Sequence, residues 1–181
     1  MSDQTALIHL LKDRSLQTGD FVLASGQRST YYIDARPTTM SAQGQQLIGR
    51  LGLEAIRKAG WHPEAIGGLT LGADPVAYAI ASASAEHPPA IDAFSVRKEA
   101  KGHGARRRIE GNFSPGMPVV VVEDVITSGG SANQAIDTVT AEGGKVLGVL
   151  SVVDRLQGGR ELLQSAGFIV VALTTIEELG L

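Results

Sequence analysis

One stretch constrains this chain more than any other: Met117-Pro-Val-Val-Val-Val-Glu-Asp-Val-Ile-Thr-Ser-Gly-Gly-Ser131. Val119 to Val122 are four β-branched residues in a row, introduced by Pro118. Such a run reads as a strand buried on both faces, the pattern of a parallel sheet. Glu123 and Asp124 stand where that strand is expected to end. Thr127-Ser128-Gly129-Gly130-Ser131 then makes a small, hydroxyl-rich loop, and Ala132, Ala135, Ile136 and Val139 follow at helical spacing. A strand, a glycine-rich loop and a helix N-terminus in that order form an anion cradle, because backbone N–H groups point inward and the helix dipole favours negative charge.

Two common phosphate motifs are absent. The chain has no G-x-x-x-x-G-K-[ST] and no G-x-G-x-x-G, which excludes a P-loop and a dinucleotide fingerprint. An acidic pair followed by a phosphate loop suits a ligand with a phosphate at one end and vicinal hydroxyls beside it, a ribose 5-phosphate. A strand–turn–helix unit with ordinary end caps needs neither two adjacent acids nor five small residues together.

The 181 residues suffice for one domain with a substantial core. There is no cysteine, hence no disulfide framework and no thiolate metal site. Met-Ser-Asp-Gln at the start lacks a basic leader pattern, and no apolar run approaches membrane-spanning length, so a cytoplasmic protein with no membrane partner is expected. Charge is unevenly spread. Arg97 to Arg108 holds six basic residues against Glu99, +5 in all, which leaves −8 on the rest of a chain whose net charge is −3. A basic island on an acidic protein implies a local anionic ligand rather than affinity for nucleic acid.

In chain order, Ser2 or Asp3 caps a first helix with Leu7, Leu10 and Leu11 on one face. From Phe21 to Asp34, two β-prone runs flank Ser25-Gly26 and predict a hairpin or flap. Tyr31 and Tyr32 are two of eight aromatics, and read either as an amphipathic strand pair or as a flat surface over a planar ligand. Ser41 opens a helix stopped by Gly60, and Ala65 to Leu69 is a buried strand. Thr70 to Asp74 is a loop, with Asp74 as cap and Pro75 at the first position of the next helix. Ile91 to Val96 is a strand, and the segment from Arg97 to Gly111 is a long mobile loop on its glycines and charges. Lys145 to Val153 is a strand ending in Asp154-Arg155, Gly158-Gly159 precedes a short helix, and Phe168 to Leu173 is the last strand. Thr175-x-x-Glu178 makes a capping box. His9, His62 and His87 have no partner pattern, and Trp61 reads as a packing residue at a connection. Alternation of strands and helices from Leu47 onward predicts an α/β fold: a central, mainly parallel sheet flanked by helices, with ligands at the carboxyl ends of its strands.

Three of these segments resemble one family. Val121-Val-Glu-Asp-Val-Ile-Thr-Ser-Gly129 is similar to the phosphoribosyl-pyrophosphate (PRPP) motif of the type I phosphoribosyltransferases. Phe21-x-Leu-x-Ser-Gly-x-x-Ser-x-Tyr-Tyr32 and Arg97-Lys-x-x-Lys-x-His-Gly104 resemble the N-terminal signature and the catalytic loop of the orotate phosphoribosyltransferases. The resemblance implies a single phosphoribosyltransferase domain, with residues 1–40 as an N-terminal hood and 41–181 as the α/β core. It implies Mg²⁺-dependent reaction of orotate with PRPP, giving orotidine 5′-monophosphate and pyrophosphate for UMP synthesis. Lys101, Asp124 and His103 would be catalytic. Arg97, Lys98, Lys101 and His103, with Glu123, Asp124, Val125 and Ile126 and the loop Thr127, Ser128, Gly129, Gly130 and Ser131, would bind PRPP. Thr127, Arg155, Tyr31 and Tyr32 would bind orotate. No direct protein ligand to Mg²⁺ is implied, the ion being held by PRPP and water. A homodimer that shares the basic loop across its interface is implied as well.

This chain departs from the family in two places. Leu71-Gly72-Ala73 stands where many bacterial members have Tyr-Lys-Gly, and Ala24 replaces a lysine of some relatives, which removes two cationic contacts to pyrophosphate. Two rival readings remain. A phosphoribosyltransferase for a purine or uracil is disfavoured by the Arg-Lys-x-x-Lys-x-His-Gly loop. A PRPP-sensing, RNA-binding regulator needs a broad basic face, which the acidic remainder of the chain lacks.

Overall fold

The structure, a computed structural model, describes residues 1–22, 28–99 and 108–181. Helix α1 (Asp3–Arg14) begins where the Ser2 hydroxyl accepts the Thr5 N–H at 3.2 Å, and it buries Leu7, Leu10 and Leu11. Strands β1 (Leu16–Val22) and β2 (Arg28–Ile33) pair antiparallel as a separate two-stranded sheet, with Thr18 opposite Tyr31 and Phe21 opposite Ser29. The first strand starts earlier than its β-prone run suggested, because its polar residues Gln17 to Asp20 lie exposed and carry no apolar alternation. The expected connection at Ser25-Gly26 lies outside the described residues. A single helical turn, α2 (Arg36–Thr39), follows.

Helix α3 (Ala42–Lys58) is capped by the Ser41 hydroxyl on the Gly44 N–H at 3.0 Å and stops before Gly60, whose φ is +71°. Then come β3 (Ala65–Leu69), α4 (Ala73–Glu86), β4 (Asp92–Val96), β5 (Ile109–Gly111), β6 (Pro118–Ile126), α5 (Gly130–Ala141), β7 (Lys145–Asp154), α6 (Gly159–Ser165) and β8 (Val170–Thr175). Six strands form one sheet in the order β5-β4-β3-β6-β7-β8, all parallel except the edge strand β5. Thr175 and Glu178 exchange the reciprocal cap bonds expected of them.

The valine run sits at the centre of this sheet and feeds two cores. Val120 and Val122 pack with Ile48, Leu53, Val76 and Ile80 of α3 and α4, whereas Val119 and Val121 pack with Ala135, Ile136 and Val139 of α5. Each side chain is fully buried, a contribution of roughly 1.5–3 kcal/mol apiece. Trp61 packs where expected, its ring so close to Gly148 that a methyl group there would sit 2.2 Å from it.

Three expectations need correction. Strand β6 does not end at Glu123 and Asp124 but continues to Ile126, because β7 pairs on past the acids, with Glu123 opposite Ser151, Val125 opposite Val153 and Ile126 opposite Asp154. The acids therefore sit inside a strand, which fixes their direction. Helix α4 starts at Ala73, with Gly72 at the cap position and no side-chain cap bond. Asp74 instead lies in the first turn and accepts a hydrogen bond from the Ser95 hydroxyl at 2.7 Å, and its burial raises its pKa. Finally, residues 109–111 of the basic segment are strand rather than loop, returning antiparallel on β4 with Val96 opposite Ile109. Residues 100–107 lie outside the described residues.

Candidate active site

A cavity of about 290 Å³ opens at the carboxyl ends of β3, β6 and β7. Glu123, Asp124 and Val125 form its floor, Thr127 and Ser131 one end, Leu71 and Gly72 a side, and Arg155 and Lys98 contribute positive charge. The hood closes it with Tyr32, Asp34 and Arg36. A larger groove between α3 and β8 holds no glycine-rich loop, and its lining of Leu51, Ala55, Ile169 and Leu173 is largely apolar. The chemistry converges on the smaller cavity.

A side chamber of about 90 Å³ lies inside the loop from Thr127 to Ser131. Gly129 caps α5 at φ +79°, a left-handed conformation that glycine adopts without penalty, and no side chain caps the helix. The first-turn N–H groups of α5 thus have no side-chain acceptor and face the chamber, the arrangement that binds a phosphate. The loop is braced from behind by α6. The Gly159 N–H donates to the Thr127 carbonyl at 3.0 Å, and a methyl group on Gly159 would lie 2.6 Å from both that oxygen and the Gly129 nitrogen. Two glycines in contact hold the cradle shut. Ile126 is buried and stays out of the larger cavity but lines this side chamber.

The acid pair divides its work. Asp124 is partly exposed, and its Oδ1 accepts the Val125 N–H at 2.9 Å. Glu123 is buried, with Oε2 lacking a partner among the described residues. Burial first, and then the charge of Asp124, push the Glu123 carboxyl from 4.5 up to about 9, so it is a neutral acid at pH 7. Gly72 explains its own presence in the loop that departs from the family pattern. A methyl group there would lie 2.4 Å from Asp124 Oδ1, and only glycine leaves that carboxylate its position.

Arg155 is the most unusual cation here. It is only 8% exposed, and neither Nε nor Nη2 has a partner among the described residues. Its neighbour Asp154, fully buried, takes Arg160 Nε on Oδ2 at 2.6 Å and the Leu156 N–H on Oδ1 at 2.8 Å. The ion pair that could have neutralised Arg155 is made with Arg160 instead. The Arg155 guanidinium rests over the Tyr31 ring, 5.0 Å from its centroid. Tyr32, not Tyr31, faces the cavity, and its ring tilts against Phe21 at 5.8 Å between centroids.

The basic segment enters from one side. The Arg97 guanidinium binds Glu110 at 3.0 Å, and its N–H donates to the Arg108 carbonyl. Lys98 lines the cavity, while its carbonyl accepts from Arg108 and from Gln134 on α5. Lys101 and His103 lie outside the described residues. Two wall residues were not foreseen. Asp34 holds Arg36 by paired hydrogen bonds of 2.8 Å, which lower the Asp34 pKa. Their one sequence signal is an Asp-x-Arg directly after the aromatic strand.

The comparisons with known proteins agree with this geometry. Residues 40–172 match the model of the phosphoribosyl transferase domain. The orotate phosphoribosyltransferase of Rhodopirellula baltica is 43% identical over 183 aligned positions, covering 99% of this chain and 95% of that protein. Crystal structures of Mycobacterium tuberculosis orotate phosphoribosyltransferase superpose closely. One, in complex with Fe(III) dicitrate, has a TM-score of 0.87 at 43% identity, covering 99% of this chain and 100% of that one. Another, in complex with PRPP, has 0.83 at 40% identity, with the same coverage. The chain belongs to the phosphoribosyltransferase family and, within it, to the orotate phosphoribosyltransferases.

Proposed function

We propose that this chain transfers ribose 5-phosphate from PRPP to orotate, releasing pyrophosphate and orotidine 5′-monophosphate. The observation that carries the reading is Arg155. A buried guanidinium whose Nε and Nη2 lack partners among the described residues is costly unless an anion meets it, and orotate differs from uracil by a carboxylate whose planar fork it matches. Thr127 lies at the junction of the two chambers, where it touches base and phosphate sites alike.

In this reading the 5′-phosphate sits in the loop Thr127 to Ser131, on the free N–H groups of α5. Asp124 and Glu123 hold the ribose hydroxyls. The bond from C1′ to the pyrophosphate oxygen breaks as a bond to the pyrimidine nitrogen forms, through an oxocarbenium-like state. Lys98 supplies charge where Leu71-Gly72-Ala73 does not, joined by Lys101 and His103 of the basic segment; Arg97, tied to Glu110, anchors its start. Among the described residues no three His, Asp or Glu side chains are grouped to hold a metal ion. The partly exposed Asp124 and the open polar lining of the cavity suit a magnesium ion bound chiefly by PRPP oxygens and water, which would neutralise the leaving group. No helix among the described residues is long and apolar enough to cross a membrane.

The test is an absorbance assay with orotate, PRPP and Mg²⁺ on wild type and Arg155→Ala. Charge-assisted bonds contribute ~1.5–3 kcal/mol each, so the mutant KM for orotate is expected to rise about ten-fold or more, with the KM for PRPP moving far less. Equal changes in both constants, or none for orotate, would take Arg155 out of the base site. A homodimer that shares the basic segment is part of the same proposal. Mixing Lys101→Ala with Asp124→Asn subunits is then expected to regenerate active hybrid sites, and no recovery after verified subunit exchange would confine each segment to its own subunit.

A further inference from the structure

We propose that Tyr31 is a positioning residue for Arg155: its ring holds the guanidinium by the face, so that the edges stay free for the carboxylate of the base. The inference rests on the reading of Arg155 as the orotate site and concerns how that residue is kept ready. A buried arginine with no ligand has two ordinary fates. It pairs with a nearby carboxylate, or it swings to solvent. Here both are blocked. Arg160 occupies the adjacent carboxylate of Asp154, and Arg155 remains buried with no partner for Nε or Nη2 among the described residues.

Among the described residues, the guanidinium meets the Tyr31 ring at 5.0 Å. An aromatic face attracts the cation without using an in-plane N–H and without neutralising the charge. A carboxylate partner would do both. The guanidinium is thereby oriented and still able to make a two-pronged bond.

The surroundings serve the same end. Tyr31 and Tyr32 are successive residues of β2, so one faces inward to Arg155 while the other faces the cavity. Gln157 Nε2 donates to the Tyr31 hydroxyl at 3.3 Å, which ties the ring to the same turn that carries Arg155. That turn is fixed at Leu156, which holds φ +53°, a left-handed value rare for leucine, while its N–H is held by Asp154. A clasp of Arg155, Tyr31 and Gln157 therefore joins the β1–β2 hairpin to the β7–α6 connection. Tyr31 touches the substrate only through its neighbour.

A double-mutant cycle in steady-state kinetics tests this. Tyr31→Leu is expected to raise the KM for orotate roughly 3- to 10-fold, with kcat and the KM for PRPP unchanged. Tyr31→Phe keeps the ring but loses the hydroxyl that Gln157 binds, so it is expected to raise the orotate KM only about two-fold, as Gln157→Ala does, and far less than Tyr31→Leu. In an Arg155→Ala background, Tyr31→Leu is expected to add nothing. Additive effects would mean that the ring contacts the base itself, and would overturn the proposal. An orotate KM unmoved by Arg155→Ala would instead refute the reading of the site, a different failure. Melting curves on each variant separate misfolding from function. Gln157→Ala, an exposed change that leaves β2 intact, is expected to raise the orotate KM about two-fold through the weaker hydrogen bond. An unchanged value there, with Tyr31→Leu misfolded, would also overturn the clasp.

Discussion

Lys101→Ala is expected to lower kcat by ~10²–10³, the range for losing one preorganised electrostatic contact to a transition state, with melting temperature unchanged. Pyrophosphate departs with far more charge than the described part of the cavity supplies. Arg155 is assigned to the base in the proposed reading, and Arg36 is already bound to Asp34 on two edges. Lys98 lines the cavity, and Lys101 follows it by three residues. The start and end of the segment are pinned together, with the Arg97 N–H on the Arg108 carbonyl at 2.8 Å and the Arg108 guanidinium on the carbonyls of Arg97 and Lys98. The described stem places Lys98 at the cavity, whose wall at Leu71-Gly72-Ala73 brings no cation of its own. A loss in kcat with KM for PRPP nearly constant would mark a contact made only as the bond breaks. An unchanged kcat would remove Lys101 from the leaving-group site.

The parts of this molecule that follow from local rules were legible in the sequence. The valine run, the capping residues Ser2 and Ser41 and the Thr175–Glu178 box act within a few residues, and each forms as expected. The strand, glycine-rich loop and helix start proposed to cradle a phosphate were legible for the same reason, since they are contiguous. What escaped depends on neighbours far along the chain. The length of β6 is set by β7, so the acids could not be assigned to a strand from their own surroundings. Asp74 lost its capping role to Ser95, 21 residues away. Gly72 looked like a missing lysine, but its meaning lies in the closeness of Asp124. Arg155 was identified from the Asp-Arg pair, yet that its own Asp154 would be taken by Arg160 and its face by Tyr31 is a matter of tertiary packing.

Glu123→Gln is expected to flatten the alkaline loss of stability in the ligand-free protein and to abolish a proton release on PRPP binding. Both follow from a buried carboxyl raised from 4.5 to about 9, chiefly by burial and then by Asp124. Below pH 4.5 the group is protonated in the folded and the unfolded chain, and its full contribution to stability is present. As pH rises toward 9 the unfolded chain gives up the proton while the folded one keeps it. Stability then falls by up to ~1.4 kcal/mol per pH unit, and levels only above the folded value. Across that window the loss amounts to several kcal/mol, large against the ~5–15 kcal/mol of a typical domain. Glutamine has the same shape and no proton to lose. The melting temperature of the variant should therefore exceed that of wild type increasingly between pH 6 and 9, whereas parallel curves would place an ionised Glu123 in the folded protein. Burying Asp74 raises its pKa too, but that slope is common to both proteins. Function reverses the preference. Ribose hydroxyls donate to a carboxylate, so PRPP is expected to bind the ionised form of Glu123 and expel the proton, with affinity increasing by up to ~ten-fold per pH unit in the same range. Calorimetry in buffers of different ionisation enthalpy measures that proton directly. Equal heats in all buffers for the wild type would show that Glu123 keeps its proton in the complex and meets the ribose as an acid.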